Sequence, residues 1–204
     1  MLRLKPLFSY SGSLLLATAL VLGLAEIGPR QIETKALATE QMQATLTAWS
    51  TASFPVENFQ AYTSPFGYRN SPYGGGQQFH YGLDIAAPSG SYIRNWWAGR
   101  VVEVSDNTAC GTSVVIESGD WRHIYCHMHG HVVNDGGRRA IIDRQGGVQI
   151  IVGQQVPSGA RIGRVGMTGR TTGPHLHWAL KYQGSWVDPA LVLRAMHTQQ
   201  AALQ

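Results

Sequence analysis

The segment Gly173-Pro174-His175-Leu176-His177-Trp178 is the part of the chain that decides how the fold is interpreted. It places two histidines two residues apart in a run typical of a β-strand, predicted over 175–182. Side chains at positions i and i+2 leave a strand on the same face, with their Cα atoms about 7 Å apart. Both imidazoles can therefore serve one site.

A second group of possible ligands lies upstream, in His80-Tyr81-Gly82-Leu83-Asp84. Two histidines and a carboxylate form a catalytic zinc pattern when a fourth position stays open. In an extended strand, the Cα atoms of His80 and Asp84 would be about 13 Å apart, too far to share an ion. Because Gly82 disfavours a helical turn, we expect a compact bend in which this glycine adopts an unusual backbone conformation. His80 would then lie in a loop and Asp84 at the start of a strand, with His177 completing the set.

A further histidine, His127, ends the β-like run Ile124-Tyr125-Cys126. If that strand lies beside the strand over 175–182, His127 and His175 could flank the open side of the metal. Hydrolysis needs proton-transfer groups there, and the pKa of histidine lies near neutrality. The remaining histidines are expected to be surface or structural residues: His123, His129, His131 and His197.

The pattern from Tyr62 onward is typical of an all-β domain, because short β-branched runs alternate with clusters of Gly, Asn, Asp and Pro. A short C-terminal helix is predicted over 189–198, with Pro189 at its start and a frayed tail after it. Strands are predicted at 82–86, 91–95, 98–105, 112–118, 121–127, 147–152, 160–165 and 175–182.

The stretch 129–147 interrupts the β pattern and carries Arg138, Arg139 and Arg144. It is interpreted as a long hairpin or loop. Long loops at a rigid sheet often carry binding function. A solvated hairpin with ordinary surface arginines is the preferred interpretation.

Composition supports a globular β-rich domain. The 204 residues are 44% hydrophobic and 14% charged and include 24 Gly, which argues against disorder and against a helical bundle. The formal net charge is +4, and removing residues 1–38 leaves about +2, because four basic and two acidic residues are lost. No nucleic-acid partner is expected, whereas a weakly basic domain could favour an anionic matrix such as a cell wall.

The N-terminus is typical of an export signal. Arg3 and Lys5 precede an uncharged, mainly apolar run over 14–25, which is short for a membrane-spanning helix. We interpret residues 1–38 as a signal peptide or membrane anchor region, with cleavage after Ala25, cleavage after Ala38 and retention all open. A buried core helix is the less favoured alternative. Residues 39–60 are interpreted as a linker or pro-segment.

The two cysteines, Cys110 and Cys126, lie at the edges of β-like runs that could pair as neighbouring strands. In an exported chain, one disulfide is favoured over two separate buried thiols.

An ordered series of motifs resembles the lysostaphin/LytM-type zinc peptidases of the M23 peptidase family over about residues 60–190. The series comprises Ser64-Pro65-Phe66-Gly67-Tyr68-Arg69, Phe79-His80-Tyr81-Gly82-Leu83-Asp84-Ile85, Ala98-Gly99-Arg100-Val101, Tyr125-Cys126-His127-Met128, Gly153-Gln154-Gln155-Val156, Ile162-Gly163-Arg164-Val165-Gly166, the stretch from Thr168 to Trp178, and Asp188-Pro189.

The resemblance implies an all-β fold in which two antiparallel sheets form an open groove. It implies that His80, Asp84 and His177 bind Zn2+, and that His127 and His175 activate water and stabilise the oxyanion. The implied peptidase domain spans residues 61–192, followed by a tail over 193–204. The implied substrate is the peptide part of peptidoglycan. Together with the export signal, we expect a protein that acts outside the cytoplasm, and we expect a monomer.

Two features depart from the family pattern. Trp96-Trp97 replaces the small residues usual before the Ala-Gly turn, and is expected in the core or in a groove wall. The stretch 129–147 is longer than usual, which affects the predicted groove.

A zinc-dependent endopeptidase and a non-catalytic regulator of the same fold are the two functional hypotheses. The resemblance favours the enzyme, since regulators of this fold typically lack zinc-site residues and all five are present here. Residues 26–60 also lack the sustained heptads of a regulatory coiled coil. The scissile bond stays open between glycyl bridges, D-Ala-linked cross-links and free peptides.

Overall fold

The computed structural model describes residues 49–203. The predicted signal or anchor region and the first part of the predicted linker lie outside the described residues. Within residues 49–203, no helix is both long and apolar enough to cross a membrane.

The described chain is mostly β-sheet with one C-terminal helix, so the predicted all-β class is confirmed. The helix, α1, spans Pro189–Ala201. The strands are β1 Ala61–Ser64, β2 Gly67–Asn70, β3 Gln77–His80, β4 Leu83–Ala86, β5 Tyr92–Arg94, β6 Gly99–Ser105, β7 Ser113–Ser118, β8 Trp121–Cys126, β9 His131–Asp135, β10 Arg138–Asp143, β11 Val148–Ile151, β12 Gln155–Val156, β13 Arg161–Arg164, β14 His175–Tyr182 and β15 Ser185–Val187.

One large antiparallel sheet organises the domain, in the order β1-β4-β14-β8-β7-β6-β12, with β15 paired to β14. Three smaller sheets accompany it: β11-β10-β9, β13-β5 and the hairpin β2-β3. The central position of β14, between β4 and β8, decides the chemistry, because it brings three separate parts of the chain side by side.

All eight predicted strands are present, with ends that differ by at most one residue from the prediction. Seven strands were not predicted: β1, β2, β3, β9, β10, β12 and β15. Most of them are short, edge-lying or polar, so they carry a weak alternation of apolar and polar residues, and β9 and β10 lie in the stretch interpreted as a hairpin or loop.

The core face of β14 explains why its histidines point the other way. Leu176, Trp178 and Leu180 are fully buried, and the intervening His175 and His177 leave the opposite face. Trp178 packs against Trp96, which is also fully buried. Trp96 therefore belongs to the core, one of the two positions expected for it.

The segment 49–60 packs against the sheet. Ala52 and Val56 are buried, and the Ser53 amide donates to the Trp96 carbonyl at 2.7 Å. Glu57 also pairs with Arg161 at 2.9 Å. These contacts are more than a free linker would make, although the predicted boundary at residue 61 stays a prediction.

The C-terminal helix is longer than predicted. Asp188 caps it by accepting from the Ala190 amide at 2.9 Å, with Pro189 in the first turn as expected. The helix continues to Ala201, and the Gln200 amide group donates to the Ala52 carbonyl at 2.7 Å. The predicted tail is therefore helical as far as Ala201, with Leu193 and Met196 buried.

The stretch 129–147 is a hairpin, β9-β10, extended by β11. Ala140 and Ile141 of β10 are buried. Arg138, Arg139 and Arg144 are exposed, as the preferred interpretation requires.

Candidate metal centre and cleft

The pairing of β4 with β14 builds the centre of the site. Its register places His177 directly opposite Asp84, and β3 delivers His80 at its last residue. His177 Nδ1 lies 2.8 Å from Asp84 Oδ1, and His80 Nε2 lies 3.1 Å from the same oxygen. The two ring nitrogens are 3.0 Å apart. The structure therefore brings together the three residues predicted to bind metal.

The bend between His80 and Asp84 is present, but one detail of its prediction was wrong. His80 ends strand β3 instead of lying in a loop. Gly82 does not adopt a positive φ. It is required for space: a Cβ there would lie 2.6 Å from His177 Cε1 and 2.8 Å from the Trp178 carbonyl oxygen. The missing side chain is what lets β14 approach so closely.

Backbone carbonyls fix the tautomers of the site histidines. His80 Nδ1 lies 2.8 Å from the Pro65 oxygen, and His127 Nδ1 lies 2.8 Å from the Thr168 oxygen. His175 Nδ1 lies 2.9 Å from the Gly173 oxygen. Since a carbonyl only accepts, each Nδ1 donates, so Nε2 is the lone-pair nitrogen of the neutral ring and donates only when the ring is protonated.

His127 and His175 lie together beside the three ligand candidates. Their ring centroids are 4.9 Å apart, and His175 Nε2 is 3.5 Å from Asp84 Oδ1. The predicted pairing of their strands is observed, since β8 pairs with β14 and places Cys126 opposite His177.

His127 has an unusual backbone. Its φ is 61°, in the left-handed region that non-glycine residues seldom adopt. The conformation is held on both sides, because the His127 amide donates to the Cys110 carbonyl and its own carbonyl accepts from Gly166, both at 2.8 Å. Such constrained residues concentrate at functional sites.

Burial and charge act in opposite directions on these groups. Burial opposes ionisation of Asp84, but hydrogen bonds from three histidines outweigh it and hold its pKa well below the ordinary value. Burial lowers the pKa of His127 to about 4, and it also lowers the pKa of His177. Burial disfavours charged His175 too, but its hydrogen bond with Asp84 prevails and raises the pKa. Asp84 is thus an anion surrounded by imidazoles.

The donor set fits a metal ion. One atom each from His80, Asp84 and His177 lie within 4.8 Å of one another. Ligand atoms on a tetrahedral zinc are about 3.4 Å apart for bonds of about 2.05 Å, close to the separations observed here. Pro65 orients His80 from behind, as outer-shell carbonyls do for metal-bound histidines. His127 and His175 adjoin this group on its cleft side.

The five residues open into one cleft of about 530 Å³. Its walls include polar residues for which the sequence predicted no role, chiefly Arg69, Tyr73 and Arg170. Arg69 belongs to a motif that carried the resemblance, and that motif was the available signal. No acidic residue other than Asp84 lines the cleft among the described residues.

A disulfide between Cys110 and Cys126 borders the cleft in the structure. It ties the turn before β7 to the end of β8, directly before His127. The strands β7 and β8 are neighbours, as expected for the two runs.

The remaining histidines lie outside the cleft. His123 is fully buried, within hydrogen-bond distance of Ser118 and Tyr125, and burial lowers its pKa to about 3. His129 contacts Ser89, and both His131 and His197 are exposed.

Comparison with known proteins identifies a family model that covers the site. The model of "Peptidase family M23" matches residues 78–141 and 140–189, more than half of the chain. These residues include all five site positions.

Individual relatives also carry the names of peptidases. The chain is 33% identical over 131 residues to "DD-carboxypeptidase/endopeptidase Mpg" of Neisseria meningitidis, covering 64% of this chain and 26% of the relative. It is 34% identical over 110 residues to "Peptidoglycan DD-endopeptidase ShyA" of Vibrio cholerae, covering 53% and 22%. The chain thus spans about a quarter of the length of these relatives.

A solved structure shares the fold. The "zinc containing peptidase from vibrio cholerae" superposes with a TM-score of 0.52 at 28% identity, over 70% of this chain and 38% of that one.

Proposed function

The chain belongs to peptidase family M23, and from that premise we propose that it is a zinc-dependent metalloendopeptidase hydrolysing the peptide cross-links of bacterial peptidoglycan. One observation carries the proposal. His80, Asp84 and His177 converge within 4.8 Å, in a cleft that also holds His127 and His175.

His80, Asp84 and His177 would hold the metal. The donor set is two imidazoles and one carboxylate, the borderline ligands that suit zinc. When bound, zinc supplies Lewis-acid chemistry, polarising a carbonyl and making water a nucleophile near neutral pH. Because Gly82 and the Pro65 carbonyl fix two of the ligands, the site is preorganised.

His127 and His175 would handle the protons. Each holds its Nδ1 proton on a backbone carbonyl, so the Nε2 atom can accept a proton and later deliver it. Peptide hydrolysis requires both acts, since the attacking water loses a proton and the leaving amine gains one. After gaining the proton, the positive ring also stabilises negative charge on the carbonyl oxygen.

The bond between two D-residues is the proposed target. Two of the relatives carry "DD" activities in their names, one of them both carboxypeptidase and endopeptidase. Among the three kinds of bond left open by the sequence, D-Ala-linked cross-links therefore have the best support.

Digestion of purified sacculi tests the function. With one zinc per chain, the protein should release soluble muropeptides whose masses identify cleaved D-Ala cross-links. A chelator should abolish release and added zinc should restore it. Undiminished release after complete metal removal would refute the proposal.

The location follows from the substrate. Peptidoglycan lies outside the cytoplasmic membrane, so we propose an extracytoplasmic protein whose residues 1–38 direct export or anchor it. N-terminal sequencing of the protein from cells separates cleavage after Ala25, cleavage after Ala38 and retention. The candidate site is complete within one chain, which supports a monomer, and sedimentation of purified protein checks it.

The disulfide between Cys110 and Cys126 is proposed to form in the exported protein. It closes a loop of about 16 residues and should add about 3 kcal/mol to the free energy of unfolding. Chemical denaturation of the oxidised and reduced protein measures this difference. Two free thiols in unfolded, unreduced protein would rule the disulfide out.

A further inference from the structure

The cleft contains two arginine side chains that have no role in the proposed hydrolysis. Arg69 lies on β2, and Arg170 lies in the segment between β13 and β14. Both line the cleft, against the single carboxylate of Asp84. Once a divalent ion binds, Asp84 is committed to that ion and the excess of positive charge grows. Such a cleft favours an anionic group on its ligand.

Arg69 is directed at the metal centre. In the β2-β3 hairpin, Arg69 pairs with Gln78 and Gly67 pairs with His80, so Arg69 and His80 share one face. The Nη2 atom of Arg69 lies 3.9 Å from Asp84 Oδ2, at the outer limit of an ion pair.

Arg69 also has donors to spare. Its Nε is buried and has no hydrogen-bond partner among the described residues. Since this Nε has almost no accessible surface, a ligand in the cleft would meet the terminal Nη atoms, whose N–H groups form a planar fork that matches a carboxylate. The side chain is 21% exposed and lines the cleft, so these terminal groups are open to a ligand that supplies an acceptor pair.

Arg170 lines the cleft from a different segment of the chain, between β13 and β14. Its Cζ lies 4.0 Å from the centroid of the Tyr73 ring, which belongs to the turn of the β2-β3 hairpin. Stacking on the ring holds the plane of the guanidinium and leaves the N–H groups at its edge available. Both arginines therefore line the same cleft, and Arg170 contacts the hairpin that carries Arg69.

We infer that Arg69, assisted by Arg170, binds a carboxylate on the substrate residue next to the scissile bond. This inference rests on the proposed function and makes it more specific. The carboxylate could be the C-terminus of an uncross-linked peptide or the free carboxylate of a cross-linked residue. Glycyl bridges carry no such group, so they fall outside the substrate class.

Paired peptides test the inference. One pair is diacetyl-L-Lys-D-Ala-D-Ala and its C-terminal amide. The other is a cross-linked peptide dimer with a free or an amidated carboxylate on the residue that supplies the scissile amide nitrogen. Binding is measured to the zinc-loaded His175→Ala variant, which holds the metal while turnover is suppressed. The hydrolysis rates of both pairs are measured with wild-type protein.

At least one acid should bind about 10- to 100-fold more tightly than its amide, as expected for a charge-assisted bidentate contact. The pair that shows the preference identifies the source of the carboxylate. Adding Arg69→Gln should reduce the ratio to about 1, and Arg69→Lys should give an intermediate value. The matched control, Arg138→Gln, changes an exposed arginine outside the cleft and should preserve the ratio.

Equal binding of acid and amide in both pairs would overturn the inference, as would a ratio that survives Arg69→Gln. Failure of the carboxylate site can be distinguished from failure of the proposed function. Sacculus hydrolysis without acid preference removes the inference alone, whereas acid preference without any hydrolysis removes the function and leaves the carboxylate site.

Discussion

The His175→Ala variant is expected to hydrolyse peptidoglycan about 10²- to 10⁴-fold more slowly than wild type, while keeping its zinc. The ring of His175 is oriented by the Gly173 carbonyl, so its Nε2 is available for proton transfer. The variant removes that Nε2 and leaves His80, Asp84 and His177 in place. Initial rates on sacculi and zinc content by elemental analysis, on the same preparation, measure both quantities.

Two comparisons make this result specific. The His177→Ala variant should lose zinc and activity together, because it removes a ligand candidate. The His131→Ala variant should keep both, because His131 is an exposed residue outside the cleft. If His175→Ala retained more than a tenth of the wild-type rate, or lost its zinc, the assigned role would be wrong.

The Gly82→Ala variant is expected to lose more than about 10²-fold in activity, together with much of its zinc affinity. A Cβ on residue 82 would lie 2.6–2.7 Å from ring atoms of His177 and 2.8 Å from a backbone oxygen of β14. Something must shift, and the backbone atom cannot rotate away. The displaced ring would no longer align with Asp84, which a zinc titration and sacculus assay would register.

A loss of general stability could imitate this effect, so a second glycine serves as the control. Gly119 has a φ of +58° in a turn with open space around it. The Gly119→Ala variant should lose about 1 kcal/mol of stability through its backbone alone and keep its zinc. If the Gly82→Ala variant bound zinc with full affinity, the close approach of β14 to residue 82 would not depend on the missing side chain.

The local patterns in the sequence predicted most of the sheet. Strands such as β7 and β14 bury one face or both, so their β-branched and aromatic runs are recognisable. The hairpin β2-β3 was missed because its residues are mainly polar, only His80 among them is buried, and its turn is rich in glycine. That omission concealed the cleft wall that carries Arg69.

The sequence also predicted which residues meet at the candidate metal site, but not the geometry that brings them together. The spacing of His175 and His177 places both on one face of a strand wherever that strand lies. The register that sets His177 opposite Asp84 joins residues 93 positions apart, and no local pattern encodes it. The same long-range contact explains why residue 82 is a glycine, because the atoms nearest to its Cβ position belong to the distant strand β14.

The position of the metal tests the central claim most directly. Crystals of the zinc-loaded protein, measured on both sides of the zinc absorption edge, locate the ion by its anomalous scattering. The account predicts one peak within about 2.2 Å of ring nitrogens from His80 and His177 and of an oxygen from Asp84. A peak bound by other residues, or no peak in a protein that digests sacculi, would contradict it.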